Sequence, residues 1–451
     1  MKAISELSWQ GAPGEDLVLQ RASVLDPRAR ISAPYDIVIR EGRVAELAAP
    51  GSHESEAGSG GEHVDAEGLL AVPAFFDPHV HLRTPGREDE EDFETGTRAA
   101  AAGGFCGVVA MPNTDPVIDS APDLRALMRR AERDALVPVG FVPSITRGLG
   151  GEELTDMAEL IDTGALGFSD DGLPVHDSRI LRRALQYQHL SGGILCLHEE
   201  DPSLSGEGVM HEGSVSAALG LAGIPSVSES TMIARDAALA LYEDSSIHVL
   251  HVSARESVAA VELAKVSGAK ITAEASPHHL TLTHETVRSL DARFKMNPPL
   301  RSEEDRQALI AGLRSGALDC IGTDHAPHAI EEKEVPFEEA AMGVTGLETA
   351  FAILNTELVE PGVIDLETIV ERLSAGARVY GLEPPSLEPG STANIALVDL
   401  AAEWEAGAEG WESRSANSCF AGRKLHGRIR MTVAAGRVAY RERSFAIGVA
   451  G

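Results

Sequence analysis

The sequence predicts an α/β protein: a (β/α)₈ TIM-like barrel with a small β-sandwich domain formed by both chain termini. Three observations carry this. Through the middle of the chain, eight short apolar runs alternate with helix-like segments, the pattern of βαβ units and a parallel sheet. Both ends have a different texture, short alternating runs bounded by Gly and Pro. The 451 residues also exceed what such a barrel needs, roughly 250, by enough for one further unit.

From Asp16 to about Val72 the β-type runs are LVLQRASVL, YDIVIREGRVAEL and AEGLLAVPAF. Between them GSHESEAGSGGEH (Gly51 to His63) is rich in Gly, Ser and Glu and reads as an exposed loop. At the other end, STANIALVDL and GRIRMTVAAGRVAY return to alternation. Neither end alone buries a sheet face. Residues 1–73 and 388–451 are therefore expected to pair into one small domain, with 74–387 as the barrel. The eight barrel strands read in order as LAVPAFFDPHVH, GVVAMPN, VPVGFVPS, ALGFSDD, GILCLHEE, SIHVLHVS, KITAEASPHH and LDCIGTDH. Helical segments follow most of them, for example Glu94 to Ala102, Ala121 to Asp134 and Glu303 to Leu313. Right-handed crossovers in eight such repeats favour a closed barrel over an open sheet. No GxGxxG or Walker-type loop follows any strand, so a nucleotide-binding fold has no support.

Composition narrows the function classes. A net charge of −32 argues against nucleic-acid binding, which needs clustered Lys and Arg. No stretch approaches the roughly 20 apolar residues of a membrane span, and the first residues show no secretory pattern, so a cytoplasmic protein is expected. Cys106, Cys196, Cys320 and Cys419 form no Cys-x-x-Cys pair, which fits a reducing compartment. Only six residues are Lys, and none lies between Lys2 and Lys265.

The strongest local signal is Asp77-Pro78-His79-Val80-His81-Leu82-Arg83. Alternate strand residues point the same way, so His79 and His81 present two imidazoles to one side. They close the first barrel strand, at the mouth where such barrels place chemistry. Strand four then ends in Asp170-Asp171, strand five in His198-Glu199-Glu200, strand six in His251 and strand eight in Asp324-His325. Any one of these is read most simply as a hydrogen-bonded structural residue. Five strands ending in metal-type ligands at one rim are not. The Glu88 to Glu94 run reads as a solvated face, Cys196 as core packing, and His53, His63, His189 and His426 as solvated.

DPHVHLR, MPNTDP, FSDDG, SPHHL, MNPPLR and GTDHAPH, spanning Asp77 to His328, resemble in order the motifs of the amidohydrolase superfamily, and within it class I bacterial dihydroorotase. The resemblance implies one zinc held by His79, His81 and Asp324 and a second by His198 and His251, with two ions, or one, per subunit. Many superfamily members bridge the metals with a carboxylated Lys on strand four. No Lys exists near that strand here, so the class I pattern implies an Asp bridge: Asp171 by position, with Asp170 as the competing choice. Two neighbouring cations need an anionic ligand between them. The implied reaction is the reversible cyclisation of N-carbamoyl-L-aspartate to dihydroorotate, in pyrimidine biosynthesis. In it, water is activated between the ions and Asp324 carries the proton. The resemblance also implies that Arg83, Asn113 and His328 meet the substrate carboxylate and Asn297 a polar edge of the ring. His81 and the backbone near Met342 and Gly343 would line the same pocket. His278 and His279 are expected to make structural hydrogen bonds. Two rivals are another cyclic amidase (dihydropyrimidinase, hydantoinase or allantoinase) and an inactive scaffold for aspartate transcarbamoylase. Arg83 and the missing Lys count against the first, and the complete ligand set against the second. A homo-oligomer, or a complex with aspartate transcarbamoylase, is compatible with the chain, whereas nucleic acid and membrane are not expected partners.

Overall fold

The computed structural model describes residues 1–12, 14, 16–53, 61–443 and 445. Five strands open the chain: β1 (Leu17–Asp26), β2 (Ile31–Arg40), β3 (Arg43–Ala48), β4 (Glu62–Asp65) and β5 (Leu70–Pro73). The barrel follows with β6 (Phe75–Val80), β7 (Phe105–Ala110), β8 (Val139–Phe141), β9 (Gly167–Ser169) and β10 (Ile194–Leu197). After an excursion carrying the small pair β11 (Met210–His211) and β12 (Gly223–Ile224), it ends with β13 (Ser246–Val249), β14 (Lys270–Ala275) and β15 (Cys320–Ile321). Seven of the eight barrel strands lie within the apolar runs, and β7 starts two residues before its run, at Phe105. They pair in parallel as β6-β7-β8 and β9-β10-β13-β14-β15. Two seams close the ring. Leu166 N donates to Phe141 O at 3.0 Å and Ser169 N to Pro143 O at 3.0 Å, while Val80 bridges His325 and His81 N donates to His325 O at 2.8 Å. Such strands are buried on both faces, which is why they read as apolar runs rather than as alternation.

Helices Phe93–Ala102, Ala121–Asp134 and Glu303–Ser315 match the segments read from sequence and begin at capping side chains. Asp92 accepts from Thr95 N (2.9 Å) and Ser302 from Asp305 N (3.3 Å), satisfying amides that a helix start leaves orphaned.

The two ends of the chain do form one sheet. β16 (Ile395–Glu405), β17 (Lys424–Ala434) and β18 (Arg437–Arg441) join through β16–β5 pairing, giving the order β18-β17-β16-β5-β1-β2-β3, with β4 on β1. The turn between β17 and β18 packs on the turn between β2 and β3, so closely that a Cβ at Gly436 would sit 2.4 Å from the Gly42 Cα. Leu19, Ile37, Ile39, Val64, Ile395, Leu397, Met431 and Val433 fill a separate core inside it.

Three details depart from the sequence reading. β4 occupies the end of the segment read as an exposed loop; residues 54–60 of that segment lie outside the described residues. Residues 2–10 belong to the barrel rather than the sheet: Ile4, Leu7 and Trp9 pack in its core, and Ser8 pairs with Val139. Residues 406–423, read as part of the small domain, cross to the barrel mouth, where Asn417 lies against the loop after strand eight. Among the described residues, no helix is long and apolar enough to cross a membrane.

Candidate active site

The barrel mouth is built on strained strand ends. Arg83, His251 and Asp324 have φ of 55°, 32° and 49°, a region that costs an ordinary residue on the order of 1–2 kcal/mol. Strand one is stitched to strand eight by buried Asp77, which accepts from His79 N (3.1 Å), Thr323 N (3.1 Å) and Thr323 Oγ1 (2.6 Å).

Six side chains from five strands converge there. His79 Nε2 lies 3.6 Å from Asp171 Oδ2 and 3.5 Å from Asp324 Oδ1; His81 Nε2 lies 3.3 and 3.2 Å from the same two atoms. On the other side of Asp171, Oδ1 is 3.5 Å from His198 Nδ1 and 3.6 Å from His251 Nε2, and those two nitrogens are 2.9 Å apart. The ligand atoms of His79, His81 and Asp171 lie within 4.8 Å of one another, as do those of Asp171, His198 and His251. Asp171 thus belongs to both groups. Its neighbour Asp170 points elsewhere: its oxygens accept from Ile145 N (2.8 Å), Thr146 N (3.0 Å) and Thr146 Oγ1.

The charges follow this arrangement. Burial would raise the Asp171 carboxyl, but His79, His198 and His251 hold it well below its ordinary value. Burial would lower the His79 imidazole, yet Asp171 and Asp324 carry it well above its ordinary value. Asp324, buried too, is lowered by His79, His81 and His251. Asp170 lacks cationic neighbours and is pushed up to about 6 by burial, against the pull of Thr146.

Buried polar atoms in a folded protein normally have partners. Here His79 Nε2 and Asp171 Oδ1 make no hydrogen bond. Imidazole nitrogens and carboxylate oxygens converging at this spacing are a donor set suited to a divalent cation.

The expected substrate residues gather beside this centre. Arg83 is anchored through Nε, to Pro327 O (3.0 Å) and Glu90 Oε2 (2.9 Å), with Nη2 3.4 Å from His328 Nε2. The ring nitrogens of His328 lie 3.0 Å from Glu332 Oε2 and 3.0 Å from Met342 O. Asn113 Oδ1 lies 2.8 Å from His81 Nδ1, so this amide orients the His81 imidazole, with its Nδ2 3.5 Å from Asp171. Asn297 Oδ1 is buried without a partner, an acceptor left open. At Gly343 (φ 146°) a Cβ would stand 2.8 Å from His328 Nε2, so the loop approaches the imidazole only as glycine.

Several residues here escaped the sequence reading. Glu90 and Glu91, read as part of a solvated run, are fully buried. Glu90 pairs with Arg83 and Arg87, and Glu91 with His325 Nε2 (3.2 Å) and Ser413. Local acidity gave no hint that two guanidinium groups, an imidazole and a serine would close over them. Lys333 Nζ donates to the carbonyls of Lys295, Ala341 and Gly343, and Asn417 Nδ2 to those of Ala326 and Gly343. Together they pin the loop that carries His328, from partners that only the fold brings near. Glu274 did leave a signal: an acid inside the apolar run of strand seven. It sits beneath the site, with Oε1 2.8 Å from His79 Nδ1. His278 and His279 share Ser276 Oγ, and His279 Nε2 donates to Pro298 O at 2.9 Å; neither falls in the two ligand groups above. Cys196 is buried, with Sγ 3.5 Å from Tyr380 Oη.

Comparison with known proteins agrees with this geometry. Residues 68–257 match the Dihydro-orotase-like family. The chain is 43% identical to the dihydroorotase of Geobacter metallireducens over 427 residues, covering 94% of this chain and 100% of that one. It is 44% identical to the dihydroorotase of Anaeromyxobacter dehalogenans strain 2CP-C over 429 residues, covering 94% and 98%. In three dimensions it resembles the L-hydantoinase (dihydropyrimidinase) of Arthrobacter aurescens, with TM-score 0.83, 24% identity and coverage of 95% and 96%. It also resembles the dihydropyrimidinase of Brevibacillus agri NCHU1002, with TM-score 0.81, 22% identity and coverage of 94% and 95%. At those identities the structural likeness speaks for the barrel fold alone. The sequence relatives reach further, and on their identity along nearly the whole chain the protein belongs to the dihydroorotase family.

Proposed function

We propose that this site interconverts dihydroorotate and N-carbamoyl-L-aspartate with two zinc ions, in the manner of class I dihydroorotases. The chain is a dihydroorotase, a cyclic amide hydrolase. The observation that carries the metal reading is the double use of Asp171, whose two oxygens face separate pairs of imidazoles. In it, His79, His81 and Asp324 would hold one ion and His198 and His251 the other, with Asp171 as the carboxylate shared between the two groups; no Lys is near enough in sequence to replace it. Bound there, such ions lower the pKa of water and polarise a carbonyl oxygen.

The chain's own groups do the rest. Asp324 Oδ1, kept ionised by the surrounding imidazoles, accepts a proton from the attacking water and returns it to the leaving ring nitrogen. In the biosynthetic direction the same carboxylate takes the proton from the carbamoyl nitrogen as the ring closes. The guanidinium of Arg83, fixed through Nε, offers its Nη atoms to the substrate carboxylate, beside His328. Asn297 Oδ1 accepts from a ring N–H, and Asn113 keeps His81 turned toward the site. A carboxylate-binding Arg inside an acidic protein explains how a dianionic substrate is held despite the net charge of −32. The test is turnover of dihydroorotate, hydantoin and allantoin by purified protein, with zinc content measured on the same sample. Ring opening of dihydroorotate is expected to dominate and to vanish in Asp324→Asn. Turnover of allantoin but not of dihydroorotate, or active protein free of metal, would sink the reading.

A further inference from the structure

Glu274 makes more contacts with the ligand set than any role in strand packing requires. It is fully buried on β14, below the floor of the site. Oε1 lies 2.8 Å from His79 Nδ1 and accepts from the backbone N–H of His251 at 3.3 Å; Oε2 lies 3.1 Å from His248 Nε2. One carboxylate therefore touches a ligand from each side of Asp171: the ring of His79 and the main chain of His251. An ionised carboxylate only accepts hydrogen bonds, so the proton between Glu274 and His79 sits on Nδ1. That leaves Nε2 as the His79 nitrogen facing Asp171 and Asp324, where it makes no hydrogen bond. By the same logic His248 Nε2 donates to Glu274, and His248 Nδ1 accepts from Thr272 Oγ1 at 2.8 Å. His248 thus props the carboxylate from behind.

The neighbouring strand is shaped for this group. A Cβ at Gly322 would stand 2.6 Å from Glu274 Oε2 and 2.8 Å from Cδ, so glycine at the end of strand eight is what lets the carboxylate lie there. The other strand-one imidazole is treated differently: His81 Nδ1 meets the neutral amide oxygen of Asn113 at 2.8 Å. A charged acceptor raises the basicity of an imidazole more than an amide does.

We propose that Glu274 is a positioning residue for the metal centre: it fixes the His79 tautomer, strengthens that imidazole as a ligand and ties the two halves of the site to one buried charge, with Gly322 providing its space. The inference rests on the metal reading of the site. Without this charge His79 is free to carry its proton on Nε2, pointing a hydrogen at the place where a cation would bind.

Two measurements on the full-length, metal-free protein test it. Nitrogen-15 NMR of the imidazoles is expected to show a proton on Nδ1 of His79 in the native chain, where Glu274 accepts it; a ring whose only proton is on Nε2 would overturn the proposal with no variant needed. Titration with Co²⁺, followed by its visible spectrum, is expected to show weaker uptake in Glu274→Gln and weaker still in Glu274→Ala. The loss should be about 10–100-fold, the usual effect of removing such a partner. Gly322→Ala, which keeps the carboxylate but displaces it, is expected to fall with them. Thermal melts of the metal-free variants show whether each is folded. Equal Co²⁺ affinity and spectra in the native and folded Glu274→Gln proteins would overturn the positioning role and leave the metal reading intact. No Co²⁺ uptake by the native chain would overturn the metal reading, and this inference with it.

Discussion

Asp170 and Asp171 share a backbone and almost nothing else. Spacing alone left both as candidates for the bridge; side-chain direction separates them, because the first is consumed by the amides of Ile145 and Thr146 and the second faces four imidazoles. Asp171→Ala is therefore expected to lose metal and activity while the chain stays folded. Asp170→Ala should keep its metal and lose about 2–4 kcal/mol of stability, since three buried donors lose their acceptor. Zinc analysis and urea melts of both variants check this, and metal loss confined to the Asp170 variant would reverse the assignment. A second residue-scale prediction concerns Glu348, pushed up to about 7 by burial, against the pull of the Glu412 and Ser413 amides and with Glu412 and Glu91 adding to the rise. The folded chain holds this proton more tightly than the unfolded one, whose value is near 4.5. The contribution is thus complete below about pH 4.5 and lost as pH rises to about 7. Relative to Glu348→Gln, the native chain should lose stability across that window, by on the order of 3 kcal/mol. Denaturant melts at several pH values read it directly, and a flat difference would show that Glu348 does not hold its proton.

Loops rather than strands decide how the expected substrate residues meet. Arg83 lies on the loop after strand one and Asn113 on the loop after strand two, and the two loops touch where Asp115 N donates to Pro85 O at 3.0 Å. Gly86, with φ of 100°, permits that contact; a Cβ there would sit 1.9 Å from Asp115 O, a backbone atom with nowhere to go. Gly86→Ala is expected to raise KM for dihydroorotate by about 10–100-fold through displaced Arg83 and Asn113, with a smaller change in kcat. Steady-state kinetics on the folded variant decide it; an unchanged KM would show that the loops are not the positioning device. At this scale the sequence was legible where an element is its own signal. The eight apolar runs, the His-x-His strand end and the capped helices were all readable, because burial on both faces and alternation along a strand are local properties. Lys333 and Asn417 were not readable as site supports. Their carbonyl and amide partners lie up to 91 residues away in the chain.

Over the whole molecule the net charge is −32, and many ion pairs, such as Arg288–Glu285 and Arg306–Glu303, lie at or near the surface, where they contribute little. Unpaired like charge should dominate instead, so screening should stabilise the fold: the Tm is expected to rise as NaCl goes from about 0.05 M to about 1 M, where the Debye length shrinks to about 3 Å. Calorimetry over that range tests it, and a falling Tm would show that the surface pairs outweigh the net repulsion. The assembly of the two chain ends into one sheet was legible because neither end had an apolar partner of its own. The crossing of residues 406–423 to the barrel mouth, and the burial of Glu90 and Glu91, were not legible, since an acid reads as solvated until the cations that cover it are known. By itself, the sequence determined the barrel, the strand ends that carry imidazoles and carboxylates, and the absence of a bridging lysine, all of which are set by residue type and spacing. Only the tertiary structure decided which of two adjacent aspartates faces the imidazoles, which acid lies against His79 from below, and which distant side chains pin the loop that carries His328. Those choices depend on side-chain direction and on contacts across the ring of strands, and neither is written in the order of residues along any one of them.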